Sequence, residues 1–448
     1  VSVLLISTYD LGRQPFGLAS PAAWLRRAGL DVVTRDLSRE PLAGEDVTRA
    51  THAAFYLPMH TATRLALPVI DRIRAARPEL PICAYGLYAP LNEALLREHG
   101  VSVVLGPEAE DALVRFAKSP NPQICKSANL QISESPNRQI QRLHLIRPDR
   151  SGLPPLARYA TLQMPDGTER IAGATDATRG CKHRCRHCPI VPVYGGQFRV
   201  VPIETVLADI DQQVTAGAGH ITFGDPDFLN GPTHARRVVE RLHARHPHVS
   251  YDVTIKIEHL LRYCDLLPVL ARTGCLFVTS AVESVDDRVL ERFAKNHTRA
   301  DFVEAVRLTR DAGLTLAPTF VAFTPWTTLE GYRDLLDTVA RLDLIDRVAP
   351  VQWGLRLLIT RGSRLLELAD VQRLVRGFDA NTLTYPWAHD DPEVDGLQQE
   401  IARLVGVRAA RSRHALFTEV SSLAGRQAED DPPLARAAIP YMNEPWYC

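Results

Sequence analysis

The chain has no surplus of either charge: Lys and Arg total 52, and Asp and Glu also total 52. Such a balance offers no global field for nucleic acid or an anionic membrane, and neither is expected as a partner. Long apolar runs are missing too. No stretch approaches the roughly 18 apolar residues that span a bilayer, and the opening VSVLLIST is too short and too poor in basic residues for a signal peptide. The expectation is a cytoplasmic protein whose first residue, Val1, marks a non-ATG start or a processed end. Cysteine is scarce, with 8 in 448 residues. Five stand singly, at 83, 125, 264, 275 and 448, so there is no disulfide framework, and a chain this long needs none. What is present, 45% hydrophobic and 23% charged residues, suits a folded protein with two or three domains.

The remaining cysteines, Cys181, Cys185 and Cys188, are packed into the segment GCKHRCRHCP. Three thiolates at this spacing can hold three irons of a cubane cluster and leave the fourth open to a ligand. Zinc is the competing tenant, since three thiolates with one imidazole, from His183 or His187, make an ordinary structural zinc set. Against it, both imidazoles sit inside one short loop, which rarely closes a tetrahedron. A nucleophile would need one cysteine rather than three.

Residues 1–118 alternate apolar runs at 3–7, 31–34, 53–57, 81–85 and 101–105 with helical patterns at 21–28, 63–75, 91–99 and 107–118. That alternation predicts a doubly wound parallel sheet with its ligand at the carboxyl ends of the strands. Residues 119–141 are polar and hold the near-repeat SPNPQI and SPNRQI, which reads as a linker in which Cys125 carries no chemistry. A second α/β series occupies 142–368, with strands expected near 171–177, 220–223, 251–257, 276–281, 315–322 and 351–358. Six strands with helical crossovers predict a (β/α)6 partial barrel, and the cysteine triplet follows its first strand, at the end where barrel active sites lie. Residues 369–448 read as two helices, 395–405 and 411–426, and a Pro-punctuated tail whose Met442, Trp446 and Tyr447 dock on the body or over a site.

In order and placement these segments resemble the radical S-adenosylmethionine superfamily. There a C-x3-C-x2-C loop follows the first barrel strand, and the residue before the third cysteine is usually aromatic; His187 offers a flat ring in that place. The resemblance implies a [4Fe-4S] cluster on Cys181, Cys185 and Cys188, with S-adenosylmethionine on the open iron. It also implies reductive cleavage to a 5′-deoxyadenosyl radical and an electron donor of flavodoxin or ferredoxin type. The run FGDPDF at 223–228 stands where the family binds the methionyl amine, which makes Asp225 the implied acceptor and Asp227 a weaker candidate. Glu283 and Ser284 resemble the family's Glu-Ser segment, implying a contact with the ribose or methionyl group. Lys256, Glu258 and Arg356 project from strand ends, where they either meet a carboxylate of cofactor or substrate or pair for structure.

The first domain resembles the cobalamin-binding-like domain of one branch of this superfamily. The Asp-x-His-x-x-Gly loop is absent, replaced by Tyr9-Asp10-Leu11-Gly12-Arg13, so histidine ligation through that loop is excluded. A corrin would face the loops 59–61 and 86–89; His60 reads equally as a polar residue near a helix start. Within the branch, ISTYDLGRQPFGLASPAAWLRRAG, FGDPDF and the terminal EPWYC resemble the group named for a Cys-Sec-Ala-Glu-Pro or Cys-Cys-Ala-Glu-Pro tail (CUAEP/CCAEP). That resemblance implies that the chain halts at a recoded stop codon and that Cys448 is a catalytic redox residue. The expected function is therefore a radical enzyme, with cobalamin as a candidate cofactor for methyl transfer or rearrangement, acting on a small molecule or peptide the sequence does not name. The alternative is a non-catalytic corrinoid- or metal-binding sensor whose three clustered cysteines hold zinc or iron. A methylthiotransferase would need a second cysteine trio in the first domain, where only Cys83 lies, and peptide-maturing enzymes would need a cysteine-rich carboxyl-terminal domain.

Overall fold

The computed structural model describes residues 2–119, 141–142, 144–407, 412–426 and 440–443. Its first sheet comprises β1 (Ser2–Ser7), β2 (Asp31–Asp36), β3 (His52–Tyr56), β4 (Ile82–Tyr85) and β5 (Val103–Val104), all parallel and in the order β2-β1-β3-β4-β5. Helices cover both faces, so the central strands read as unbroken apolar runs rather than as alternation. The first helix, Phe16–Arg27, starts five residues earlier than its proline suggests. Pro21 is not a first-turn residue but lies inside the helix, where it cannot donate to the carbonyl of Gly17. The Tyr85 hydroxyl donates to that oxygen instead, at 2.7 Å.

The second sheet has seven strands. In chain order the remaining strands are β6 (Gln141–Arg142), β7 (Thr161–Gln163), β8 (Glu169–Thr175), β9 (Thr178–Gly180), β10 (Phe198–Val200), β11 (His220–Phe223), β12 (Ser250–Thr254), β13 (Cys275–Glu283), β14 (Thr315–Phe320) and β15 (Tyr441–Met442). The large sheet runs β14-β13-β12-β11-β8-β7-β15, and β6-β10-β9 form a small one beside it. Strands β8 and β11 to β14 are mutually parallel with helical crossovers, and their helices bury the largest apolar core of the chain.

Two expectations need correction. The segment expected as a sixth barrel strand is a short 3-10 helix, Pro350–Gly354, followed by a single parallel bridge between Phe323 and Arg356. The reason is local. Pro350 opens that helical turn, and the Gln352 side chain accepts the Phe320 N–H at 2.8 Å, where a neighbouring strand would have offered a carbonyl. The carboxyl-terminal region is also more than helical: beyond Pro392–Val407 and Arg413–Leu423, β15 returns to the sheet edge, and so Met442 docks as expected. Residues 120–140 with Cys125, and Trp446, Tyr447 and Cys448, lie outside the described residues.

Arg150 fixes the two sheets to each other. It donates to both Asp209 oxygens at 2.8 Å, to Gln14 Oε1 at 2.9 Å and to Ala174 O at 2.6 Å, with 8% of its surface exposed. A buried charge so fully paired holds a fixed geometry. The consequence is that the carboxyl ends of both sheets face one cavity.

Candidate active site between the two sheets

The cavity encloses about 490 Å³, within the range of small-molecule sites. Cys181, Cys185 and Cys188 all line it, and none forms a disulfide. Their loop is clasped at both ends. Gly180 sits at φ +79°, where a Cβ would meet the Tyr194 ring at 2.5 Å and Gln197 O at 2.6 Å. Asn230 then accepts from Lys182 N at 3.2 Å, while Arg186 N donates to Phe293 O at 2.9 Å.

Burial raises the Cys181 thiol to about 11, helped by the charge of Asp227, and raises Cys188 to about 12. A metal bound at these two sulfurs would displace their protons. Three soft sulfurs on one concave wall fit an iron–sulfur cluster. The nearest rival set is Cys181, His183 and Asp227, whose ligand atoms lie within 4.8 Å of one another. His183 is not free to complete a zinc site, because Nε2 faces Asp227 at 3.1 Å and Nδ1 receives Lys256 Nζ at 3.3 Å.

Asp225 sits 2% exposed at the end of β11. It accepts from Ala177 N at 2.9 Å and from the Thr178 hydroxyl at 2.5 Å, so both oxygens are already engaged in bracing the turn between β8 and β9. Burial, reinforced by Asp176, lifts its carboxyl to about 7. Asp227 behaves oppositely. Burial works against its charge, but contacts from His183 and from His259 at 2.6 Å outweigh it and hold the group at about 2. Glu283, at φ +69°, is likewise held at about 2: burial is overcome by the Lys295 ammonium at 3.3 Å and His187 at 3.1 Å.

The expected site residues therefore divide. Asp225, Glu283, Lys256 and His187 line the cavity with the three cysteines, and the His187 ring lies 4.5 Å from that of Phe293. Ser284 does not line it; its hydroxyl accepts from Asp286 N at 3.1 Å and shapes the turn into the next helix. Arg356 is also elsewhere. It pairs with Asp395 at 2.6 Å and covers the Trp387 ring at 3.6 Å, because the segment that carries it is not a strand and does not aim it inward. His60 binds Thr382 O at 2.5 Å outside the lining, although its neighbour Met59 reaches the cavity, as does Leu87. Lys295 was not foreseen. It follows Ala294, a left-handed residue that ends the helix Asp287–Phe293, and nothing in ERFAKNH distinguishes it from a surface lysine.

The first sheet supplies the opposite wall, with Tyr56, Met59, Tyr85, Leu87 and Pro107 beside Asp10 and Arg13. No imidazole of that sheet is among the described lining residues. The Tyr56 ring lies directly over Gly17, where a Cβ would approach it to 2.2 Å. This broad apolar wall fits a flat group held by packing, with no histidine ligand.

Residues 176–339 match the model of the Radical SAM superfamily. Among curated proteins, the chain is 25% identical over 343 residues to a hopanoid C-3 methylase of Methylococcus capsulatus, covering 72% of this chain and 64% of that one. It is 27% identical over 232 residues to a tryptophan 2-C-methyltransferase of Streptomyces laurentii, covering 48% and 38%. It thus spans less than two thirds of either relative. Among solved structures, OxsB, a cobalamin-dependent S-adenosylmethionine radical enzyme seen with aqua-cobalamin and S-adenosylmethionine, superposes with a TM-score of 0.71 over 95% of this chain and 71% of that one, at 14% identity. TsrM of Kitasatospora setae, seen with cobalamin and a [4Fe-4S] cluster, gives 0.60 over 76% and 73%, at 17%. At those identities the likeness is one of fold.

Proposed function

We propose that this chain, whose residues 176–339 form a radical SAM domain in a fold shared with cobalamin-dependent radical SAM enzymes, reductively cleaves S-adenosylmethionine and uses a corrinoid to transfer a methyl group. The observation that carries the reading is one shared cavity, onto which the three cysteines and the carboxyl ends of both sheets open. A [4Fe-4S] cluster held by these cysteines would supply one electron to the sulfonium, the S–C5′ bond breaking to leave methionine and a 5′-deoxyadenosyl radical.

The chain's own residues hold and orient. Cys181, Cys185 and Cys188 are the ligands, and Asp227 braces their loop through His183. Lys256 and Lys295, 6% and 3% exposed, are among the lining cations that would meet a methionyl carboxylate; Glu283 would accept from its ammonium, and Asp225, bonded through both oxygens, would hold the β8–β9 turn beside it. The apolar wall from the first sheet would take the corrin face and exclude water. Each turnover needs an electron from a flavodoxin- or ferredoxin-type donor, which suits a reducing cytoplasm. No helix among the described residues is long and apolar enough to cross a membrane.

The test is anaerobic reconstitution with iron and sulfide, then reduction with S-adenosylmethionine present. Formation of 5′-deoxyadenosine or S-adenosylhomocysteine by a brown protein supports the reading; a colourless protein holding one zinc and giving neither product overturns it. Cobalamin retained through gel filtration supports the corrinoid, and its complete loss removes that part.

A further inference from the structure

The second sheet and its turns place four carboxylates on the cavity, Asp176, Asp225, Asp227 and Glu283. Three are committed to neighbours: Asp225 to Ala177 N and the Thr178 hydroxyl, Asp227 to His183 and His259, and Glu283 to Lys295 and His187. Asp176 is not. Its carboxylate has no hydrogen bond among the described residues, and the nearest cation, Arg179 Nε, stands 3.8 Å away while Nη2 of the same arginine donates to Glu110 at 2.9 Å.

The fold makes room for this carboxylate. Asp176 follows the last residue of β8, and Gly224, just past β11, faces it: a Cβ on Gly224 would stand 2.5 Å from Asp176 Oδ1. The Asp176 side chain is 24% exposed, open to the cavity it lines. Its neighbour Thr175 is 1% exposed and lines the same cavity, and the Thr175 hydroxyl has no hydrogen-bond partner among the described residues. A buried hydroxyl left unpaired costs free energy that a ligand can offset. Burial lifts the Asp176 carboxyl above its ordinary value, with Arg179 and Arg13 opposing, and a further cation beside it would restore its charge.

We propose that Asp176 and Thr175 anchor the substrate and that the group they hold is a protonated amine, the carboxylate taking its charge and the Thr175 hydroxyl accepting a second N–H. The substrate class is then a small amine-bearing molecule, its amine end held at the terminus of β8 in the cavity that the cysteine loop and the apolar wall share. That this molecule is the one methylated rests on the proposed function. That the cavity selects an ammonium does not, so it is tested on the full chain without reconstitution.

The experiment titrates two probes of one shape, phenethylamine and phenethyl alcohol, at neutral pH by saturation-transfer NMR. The amine should bind at least about tenfold tighter than the alcohol. Asp176→Asn should bring the two within about twofold, and Gly224→Ala, whose Cβ displaces the carboxylate without removing it, should shrink the preference as well. Equal binding of the two probes, no measurable binding of the amine, or a preference that survives either substitution overturns the proposal. The methionyl ammonium of S-adenosylmethionine is the competing occupant. On the reconstituted chain, equilibrium dialysis should show its affinity changed by less than about twofold in Asp176→Asn, and a loss of about tenfold would give Asp176 to the cofactor and overturn the proposal. A chain that selects the amine but forms no 5′-deoxyadenosine or S-adenosylhomocysteine would keep this anchor and lose the proposed function.

Discussion

Lys295 Nζ lies 3.3 Å from Glu283 Oε1, and the same oxygen faces His187 Nε2 at 3.1 Å. Three elements, the cysteine loop, β13 and the turn after the helix Asp287–Phe293, are thereby joined at one carboxylate. Removing one partner of a buried pair leaves an unpaired charge, which costs more than removing both. Lys295→Met should therefore destabilise the chain by about 3–5 kcal/mol, and Lys295→Met with Glu283→Gln should regain most of that loss. Urea unfolding of the unreconstituted protein measures both; equal losses for the single and double variants would show that the pair is not coupled.

Asp10 gives a pH dependence. Burial lifts its carboxyl to about 7 in the fold, with Arg13 partly opposing, from an ordinary value of 3.8. Between those values the folded state holds a proton that the unfolded state has released, so stability falls as pH rises from about 4 to 7 and does not return above it. Asp10→Asn should stabilise the unreconstituted chain at pH 8 by about 1–3 kcal/mol and flatten that slope. Unfolding midpoints from pH 5 to 8 read this directly, and a variant as pH-sensitive as the parent would refute it.

Arg356 separates a cofactor role from a structural one. Its guanidinium is committed to Asp395 and the Trp387 ring, away from the cavity. Arg356→Ala should cost about 1–2 kcal/mol of stability through lost packing and pairing. S-adenosylmethionine affinity of the reconstituted protein, measured by equilibrium dialysis, should stay within about twofold, which is under half a kcal/mol. A larger drop would return Arg356 to the cofactor site.

These cases show which parts of the chain declare themselves. The alternation of apolar runs and helical patterns locates the five strands of the first sheet and five of the six expected in the second, because parallel strands buried on both faces need continuous apolar stretches. The 351–358 run, VQWGLRLL, has the same composition but lacks the partner backbone, since Gln352 takes its place. Cysteine spacing is equally legible, because ligands on one short loop are local. Lys295, Asp10 and Arg13 were not, since their role depends on two sheets meeting across Arg150, and no local pattern encodes that meeting. Pairings of two residues can be read along a strand; convergence of five elements on one cavity cannot.

The cysteine loop supplies a test of specificity among thiols. Each of Cys181→Ser, Cys185→Ser and Cys188→Ser should reduce iron bound after reconstitution by roughly tenfold or more, whereas the exposed Cys264→Ser should leave it unchanged. Iron and sulfide assays and the electron paramagnetic resonance signal of the reduced protein measure this; loss in the Cys264 variant would place a ligand elsewhere.

Gly180 tests whether the backbone or only the sulfurs build that site. Its φ of +79° is open to glycine at no cost, and an added Cβ would meet the Tyr194 ring and the Gln197 carbonyl. Left-handed strain alone costs an alanine about 1–2 kcal/mol, and the backbone contact adds to it because Gln197 O cannot swing aside as a side chain can. Gly180→Ala should therefore lower stability by about 2–4 kcal/mol and shift the loop that begins at Cys181, so that iron loading falls although every sulfur is retained. Tyr194→Leu in the same chain relieves the ring contact but not the carbonyl contact, and should restore only part of the loading. Full loading in Gly180→Ala would mean that the loop closes around its metal from a different backbone path, and that the thiols alone define the site.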